Sequence, residues 1–492
     1  MLILRAGPVV SAVGLAAVCL AGAITAQDLD APARRAVRPV RLSDLAPALR
    51  DRLPMPSRRE EGFAAFVRSL DQETAERERA GEYEHLVYHL LQSQRFTSEP
   101  RIEPALSAYE LVRGMAPEER ARFLEGEAPS PGARIPPAVL RRAADFMKAV
   151  AGDPADARLA YFKRLLAAEP ADPPALPRLL SRYAQAMRFL YRKEFLSREL
   201  KDPQQIESYL ASLYRRRGHS TDTQVEANFA VHTALSVVRA SGKDRLDRVL
   251  IVGPGLDFAP RTDLLEAFEP QSYQPFAVAD ALLGLGLSER GRLRVHCVDI
   301  SERVVRYLRD VSGGGPVRLQ LVSGIPERED RPFGPEFRGY FAGLGRSIGE
   351  EGPLPLPGGV SHRLGKSLLV RPEIAGRITA DRLNIVTERY DPSPAYDLVV
   401  VTNVFSYLDP AEQALALANI ESMLEEGGYL IHNEPQSSLV ETAGRLGLGM
   451  VDARTVRLSS GEAAPLFDRV VIHRKAFRGR MARPDPTQEE GA

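Results

Sequence analysis

The residues best suited to chemistry follow apolar segments that are typical of buried strands. Gly253 and Gly255 end the segment RVLIVGPG, where glycines let the backbone approach a ligand because no Cβ obstructs it. Asp299 ends LRVHCVD, at the place where nucleotide-binding folds put the carboxylate that accepts ribose hydroxyls. Asn403 follows YDLVVVT, at a strand end where open α/β sheets bind ligands. These residues predict a nucleoside site at one edge of a parallel sheet.

Each of these signals leaves an alternative open. The third glycine of the usual nucleotide-binding loop is absent, and Asp257 stands in its place. Asp299 could instead cap the helix that follows it, although Ser301 already suits that position. The basic group Arg215 to Arg217, at the end of a predicted helix, suits either an anion or simple solvation.

The stretch from Tyr396 to Pro435 predicts the elements that would hold such a site. An apolar strand and a polar loop lead to Asp409 and Pro410, and Glu412 completes the capping box of a helix. Gly427-Gly428 suits a left-handed helix stop before a second strand. This is half of a doubly wound α/β domain, and the later segments MVDARTVRLS and FDRVVIHRKAF add an antiparallel hairpin at the edge of its sheet.

Length and charge limit the classes of protein to consider. With 492 residues the chain is too long for one ordinary core, so two or more domains are expected. Lys+Arg and Asp+Glu both number 65, which argues against a nucleic-acid partner. His85 and His89 could share a metal on one helix face, but without a third ligand nearby we predict ordinary packing and no metal site.

The chain is predicted to change character along its length. Residues 1–26 resemble a secretory signal peptide, which predicts export to the periplasm or the medium. An uncleaved membrane anchor and a misplaced start codon are the alternatives. The remaining divisions are a linker (27–59), an all-α domain (60–242), an α/β domain (243–478) with a Gly/Pro-rich surface excursion (323–359), and a disordered tail (479–492).

Stretches of the α/β domain resemble class I S-adenosylmethionine-dependent methyltransferases, and most closely the CheR type, which methylates glutamate side chains of chemotaxis receptors. PFAVADALL is similar to that family's first helix, and CVDIS to its Thr-Asp-Ile-Ser strand end. GYFAGLG and SLLVRPEIAGRITADRLNIV resemble its Arg-Tyr-Phe excursion and the two elements after it. TNVFSYLDPAEQ resembles its Arg-Asn-Val-x-Ile-Tyr-Phe-Asp motif. The stretches keep the family's order and span a little under half of the chain.

The resemblance implies a Rossmann-like methyltransferase sheet that binds S-adenosylmethionine as its cofactor. Asp299 would hold the ribose, Asn384 and Ile385 would border the adenine, and Asn403 would line the pocket floor. Tyr407 would be the catalytic residue, near the transferred methyl group and the incoming carboxylate. Since a carboxylate is already a nucleophile, such an enzyme mainly aligns two reactants and excludes water.

Departures from the family's pattern fall where the amino acid end of the cofactor should bind. Tyr273 and Gln274 replace paired glutamates, and Thr402 replaces an arginine. Asp257 or Asp280 could supply the missing carboxylate, and spacing does not choose between them.

Two functions are compatible with these residues. The first is an S-adenosylmethionine-dependent O-methyltransferase acting on a carboxylate of a protein glutamate or a small molecule. The alternative is an exported, non-catalytic binding protein on a degenerate methyltransferase fold, whose helical domain recognises a protein partner.

Overall fold

The structure is a computed structural model that describes residues 36–127, 135–169, 172–243, 245–258, 264–357, 360–391 and 393–477. The predicted signal peptide and the predicted tail lie outside these residues. Within them, no helix has both the length and the apolar character needed to cross a membrane.

Helices build the chain between Glu60 and Arg215, as predicted. They are α1 (Glu60–Gln92), α2 (Pro104–Arg113), α3 (Pro117–Glu125), α4 (Pro137–Ala151), α5 (Ala157–Ala167), α6 (Ala175–Tyr191), a π-helical turn (Arg192–Leu196), α7 (Ser197–Glu199) and α8 (Pro203–Arg215). Several begin with proline, whose fixed φ suits the first turn and whose missing N–H has no partner there anyway. The second half of α1 holds the group together, because Leu86 and Leu90 pack into one apolar cluster and Val87 and Leu91 into another.

The remaining elements alternate strands with helices. The helices are α9 (Val225–Ala240), α10 (Leu264–Ala267), α11 (Gln274–Gly284), α12 (Glu302–Ser312), α13 (Pro335–Gly343), α14 (Pro372–Ala375), α15 (Pro410–Met423) and α16 (Ser437–Arg445). The strands are β1 (Ala36–Pro39), β2 (Asp222–Thr223), β3 (Arg248–Val252), β4 (Asp257–Phe258), β5 (Arg294–Asp299), β6 (Val317–Val322), β7 (Gly349–Gly352), β8 (Gly365–Val370), β9 (Ile378–Arg382), β10 (Glu388–Asp391), β11 (Tyr396–Val401), β12 (Leu424–His432), β13 (Leu448–Arg457) and β14 (Phe467–Lys475).

In the described part of the chain, the largest sheet has seven strands in the order β9-β5-β3-β11-β12-β14-β13. Five neighbouring strands, β9, β5, β3, β11 and β12, are parallel to one another. β14 runs antiparallel to both of its neighbours, β12 and β13. The predicted doubly wound sheet with an antiparallel C-terminal hairpin is therefore confirmed. The strand order reverses between β3 and β11, which is the point where folds of this kind bind ligands.

Both faces of the sheet are covered, which explains the continuous apolar runs in its strands. Val249 and Ile251 of β3 face a cluster that includes α9, α11 and α12. Leu250 and Val252, which alternate with them, face a second cluster that includes α15 and α16. The helix α9 lies in the predicted all-α domain by sequence but packs on the sheet.

The segment predicted as a linker, 27–59, is folded where the structure describes it. β1 pairs with β10, and short 3-10 turns follow it. Leu42, Leu45 and Leu49 are buried against the second face of the sheet. The linker prediction was wrong for this part because its composition, rich in proline and arginine, concealed leucines spaced for burial.

The predicted surface excursion at 323–359 also differs from expectation. It lies between β6 and β8 and contains β7, and β8 pairs with both β6 and β7 in a small antiparallel sheet. Its helix α13 buries Phe337 and Phe341 in the same cluster as α9. The excursion therefore contributes to the core, and its glycines and prolines shape the turns between buried elements.

Local signals in the opening of α15 are confirmed. Asp409 accepts hydrogen bonds from the backbone N–H groups of Ala411 and Glu412, and the Glu412 carboxylate accepts one from the Asp409 N–H. This is the predicted capping box, and it fixes the direction in which the chain leaves β11.

Candidate active site

A cavity of about 520 Å³ lies at the carboxyl ends of β3, β5 and β11. The sheet supplies one side of it, and the helical region supplies the other through α1 and the segment from Arg217 to Gln224. The predicted site residues that line it are Gly253, Gly255, Asp299, Asn384, Ile385, Asn403 and Tyr407. Asp257 falls in β4, and its side chain lies outside what the structure describes.

The two glycines have positive φ, but their freedom serves the protein's own packing. A Cβ on Gly253 (φ +66°) would lie 2.8 Å from Cγ2 of Val404. A Cβ on Gly255 (φ +73°) would lie 2.9 Å from the carbonyl oxygen of Thr221, in the segment that crosses over the loop. Thr221 also accepts a hydrogen bond from the Leu256 N–H at 2.8 Å. The glycine loop is thus fastened to the chain that leaves the helical region.

Asp299 contacts the start of the helix that follows it, one of the two roles that the sequence left open, and it also lines the cavity. Its Oδ1 accepts a hydrogen bond from the Ser301 N–H at 2.8 Å, while Ser301 makes no side-chain cap. Burial raises the pKa of Asp299 to about 6. Glu78 of α1 also lines the cavity; burial, with a contribution from the Asp299 charge, raises its pKa to about 7. The predicted ribose site is therefore flanked by two carboxyl groups with a reduced tendency to ionise.

Asn384 and Ile385 occupy the turn after β9. Asn384 Nδ2 donates to Asp71 Oδ1 at 3.1 Å and to Thr74 Oγ1 at 3.4 Å, and its Oδ1 accepts from the Val386 N–H. The side chain of Asn384 is thus used to dock α1. Ile385 is buried and leaves the cavity an apolar wall at this turn.

Asn403 has a φ of +58°, a left-handed conformation that asparagine tolerates better than most residues. Its N–H donates to Asn433 Oδ1 at 2.8 Å, and its Oδ1 accepts from Asn433 Nδ2 at 3.0 Å. The residue is exposed, so it borders the cavity and does not form a buried floor. This reciprocal pair ties the ends of β11 and β12 together.

Tyr407 is positioned by the helical region. Its hydroxyl accepts a hydrogen bond from Arg217 Nη1 at 3.2 Å, and its ring meets Tyr214 and His219 edge to face. Burial raises the pKa of Tyr407, so the phenol is protonated at neutral pH. Because the hydroxyl accepts from Arg217, its own hydrogen is free to donate to a ligand.

Arg217 is a site residue for which the sequence left both anion binding and simple solvation open. Its Nε and Nη2 donate to Glu84 at 2.8 and 2.7 Å, in a bidentate pair between buried side chains. Burial opposes the charge, but Glu84 raises the pKa of Arg217 well above its ordinary range. The guanidinium is therefore charged and held rigidly beside the Tyr407 hydroxyl.

Glu434 is a second site residue, one that the sequence analysis missed. It follows β12 as Asn403 follows β11, which is the signal that could have identified it. Its Oε1 accepts from the Ser406 N–H at 3.4 Å, whereas its Oε2 is buried and has no hydrogen-bond partner in the described structure. Burial raises the pKa of Glu434 to about 8, with a further contribution from the charge of Asp468. At neutral pH this carboxyl group is mostly protonated and can donate into the cavity.

The departures from the family pattern contact one another. Gln274 Nε2 donates to Thr402 Oγ1 at 2.7 Å, so a neutral pair stands where the family has residues of opposite charge. Asp280 is not the replacement carboxylate, because it accepts from the N–H groups of Gly345 and Ser347, each at 2.8 Å, and does not line the cavity.

A match to one protein-family model supports this interpretation of the α/β domain. Residues 360–438 match the family model described as CheR methyltransferase, SAM binding domain. Solved structures that match parts of the chain include magnesium protoporphyrin IX methyltransferase (ChlM) from Synechocystis PCC 6803 with bound SAM, at 13% identity over 56% of this chain and 98% of that one, with a TM-score of 0.27. Another is N-methyltransferase NodS from Bradyrhizobium japonicum WM9 with SAH, at 13% identity over 50% and 85%, with a TM-score of 0.25. No curated protein matches the sequence.

The family match contains Asn384, Asn403 and Tyr407, and it confirms the resemblance to the CheR type. The match supports an S-adenosylmethionine-dependent methyltransferase fold for the α/β domain, with S-adenosylmethionine as the cofactor.

The residues of the cavity suit that cofactor. The cavity volume lies within the range of roughly 300–1,000 Å³ that is usual for small-molecule sites. Its lining carries five carboxyl groups and two cations, and Asp299, whose pKa is about 6, is mostly ionised at neutral pH, which suits a ligand with a positively charged sulfur. The carboxyl groups are those of Glu78, Glu82, Asp222, Asp299 and Glu434, and the cations are Lys193 and Arg217.

Proposed function

We propose that this protein is an O-methyltransferase whose methyl acceptor is a carboxylate, either of a protein side chain or of a small molecule. The observation that carries the proposal is the Tyr407–Arg217 pair in the same cavity as Asp299. The Tyr407 hydroxyl, next to Arg217, is a hydrogen-bond donor that suits a carboxylate. Asp299 is an acceptor that suits ribose hydroxyls. Among the described residues, only the neutral Gln274–Thr402 pair would be compatible with the alternative of a non-catalytic binding protein, and it does not remove the groups named above.

Cofactor binding would draw on groups already fixed by the fold. When bound, S-adenosylmethionine supplies a methyl group on a positively charged sulfur. Asp299 would accept hydrogen bonds from the ribose hydroxyls, and the apolar side chain of Ile385 would pack against the adenine. The helix α1 would exclude water from the side that faces the helical region, because Thr74 and Glu78 line that wall.

Acceptor binding would depend on donors. The Tyr407 hydroxyl, polarised by Arg217, would donate to one carboxylate oxygen, and the protonated Glu434 would donate from its unpartnered oxygen. A carboxylate needs no general base, so the protein's task is to orient it in line with the methyl group. A neutral amine would gain less from these donors, since its nitrogen has a single lone pair to accept with.

The chemical stability of the product tests the acceptor class. Radiolabelled S-adenosylmethionine, the full chain and a lysate of the encoding organism should yield labelled material that releases volatile methanol in alkali, because esters hydrolyse there. Tyr407→Phe should lower the rate of label transfer about 10- to 100-fold, whereas Tyr109→Phe, an exposed tyrosine on α2, should leave it unchanged. Label that resists alkali would contradict a carboxylate acceptor.

Export is a separate proposal that rests on residues 1–26 alone. A reporter that is active only outside the cytoplasm, fused after residue 27, should gain activity. A reporter that stays inactive while the fusion accumulates in the cytoplasm would contradict export.

A further inference from the structure

A second cavity, of about 350 Å³, lies wholly within the helical region. It is formed between α1, α6 and the chain that follows α8. Its charged lining consists of Arg182, Arg188, Arg192, Arg216, Arg217, Glu84 and Glu125. Arg217 lines this cavity and the cofactor cavity alike, so its side chain stands between the two.

Four of the five arginines in this cavity have no ion-pair partner among the described residues. Arg217 is paired with Glu84, but in the described structure no carboxylate forms an ion pair with Arg182, Arg188, Arg192 or Arg216. Three of them are held by neutral acceptors instead. Arg188 Nη1 donates to the carbonyl oxygens of Phe123 and Glu127, Arg192 Nε donates to the Tyr209 hydroxyl, and Arg182 Nη1 donates to Gln185 Oε1.

This arrangement differs from a solvated basic surface. Arg188 is partly buried; burial lowers its pKa, and the neighbouring charge of Arg192 lowers it further. Grouped cations that are removed from water repel one another unless an anion joins them. Guanidinium groups fixed by neutral partners also keep their remaining N–H donors in a fork that matches carboxylate and phosphate oxygens.

We propose that this arginine cavity is a binding site for a compact multivalent oxyanion, such as a pyrophosphate-bearing or polycarboxylate metabolite. Its volume is near the lower end of the usual range for small-ligand sites, which favours a compact molecule over an extended peptide. Arg216 and Arg217, two residues of the basic group Arg215 to Arg217, line this site. The proposed binding does not depend on methyl transfer.

Calorimetry on the full chain tests the site, with inorganic pyrophosphate and citrate as probes and acetate as the monovalent control. Pyrophosphate or citrate should bind, and the affinity should fall as NaCl is raised. The double variant Arg188→Gln/Arg192→Gln should weaken binding at least about 10-fold. Arg198→Gln, which removes an exposed arginine paired with Glu194, should leave it unchanged.

Two further measurements keep the proposal falsifiable. If circular dichroism shows that the double variant does not fold, the exposed Arg216→Gln should still weaken binding about 3- to 10-fold. Saturating S-adenosylhomocysteine should leave pyrophosphate binding intact, because the cavities are distinct. The proposal would be overturned if S-adenosylhomocysteine and pyrophosphate compete, or if either variant binds pyrophosphate with native affinity. It would also be overturned if pyrophosphate and citrate bind no tighter than acetate, or if hexaglutamate, a probe for an acidic peptide, binds better than pyrophosphate.

Discussion

At the scale of single residues, the site is defined by buried carboxyl groups that hold protons unusually well. The pKa of Glu434 is raised to about 8 and that of Asp299 to about 6, in both cases mainly by burial. A carboxyl whose pKa is higher in the folded than in the unfolded state binds more protons when folded. Its contribution to stability is therefore present at low pH and is lost as the pH rises through the folded pKa.

Glu434→Gln tests this directly, because glutamine resembles the protonated form and cannot ionise. The native protein should lose stability between about pH 4.5 and 8, because in this range the unfolded chain releases the Glu434 proton while the folded protein still holds it. The difference in unfolding free energy between the variant and the native protein should therefore shift in favour of the variant by about 1–3 kcal/mol from pH 5 to pH 8. Urea unfolding at the two pH values measures this shift. Glu118→Gln, an exposed glutamate on α3, is the matched control. An equal effect at both pH values would show that Glu434 is not protonated in the folded protein.

At the scale of elements, the glycine loop connects the sheet to the helical region. Gly255 is confined by its φ of +73° and by the Thr221 and Asp222 carbonyl oxygens, which a Cβ would approach to 2.9 and 3.0 Å. Any side chain there would push β2 away from β4, since these strands pair at this point. The glycine loop and the segment at Thr221 and Asp222 that crosses it must therefore move together.

Gly255→Ala should lower the free energy of unfolding by more than the strain of placing alanine at a positive φ. Gly314→Ala is the control, because Gly314 also has a positive φ, of +91°, but a Cβ added there would meet no neighbouring atom within 4 Å. The control should lose about 1–2 kcal/mol of unfolding free energy, and Gly255→Ala at least about 1 kcal/mol more. Only Gly255→Ala should weaken S-adenosylhomocysteine binding. Equal losses of unfolding free energy in both variants would mean that the segment at Thr221 and Asp222 can move aside for the added Cβ without destabilising the protein.

Elements set by local sequence could be predicted, and those set by distant packing could not. The capping box at Asp409 and the run Leu398 to Val401 depend on neighbours in the chain, and both are confirmed. Leu42 and Leu49 are buried by helices several hundred residues away, so composition misled the prediction of a linker. The environment of Glu434 has the same origin, since the Ser406 loop and Asp468 reach it only in the folded protein.

At the scale of the whole molecule, one helix joins the two halves of the protein. α1 has 33 residues and is therefore about 50 Å long. Its first part buries Phe63 and Val67 against the sheet, its middle presents Glu78 to the cofactor cavity, and its last part buries Leu86 among the helices. The helical region thus forms one wall of the cofactor cavity, and we expect the cofactor to contact both halves of the molecule.

We expect this shared cavity to bind S-adenosylmethionine through Asp299. Calorimetry of the full chain with S-adenosylhomocysteine should show binding, and Asp299→Ala should weaken it about 10- to 150-fold, the loss expected for a charge-assisted hydrogen bond. Asp310→Ala, an exposed aspartate on α12, should bind as the native chain does. Absence of binding at millimolar S-adenosylhomocysteine would show that the cavity is not a cofactor site, and unchanged affinity in Asp299→Ala would show that Asp299 does not hold the ribose.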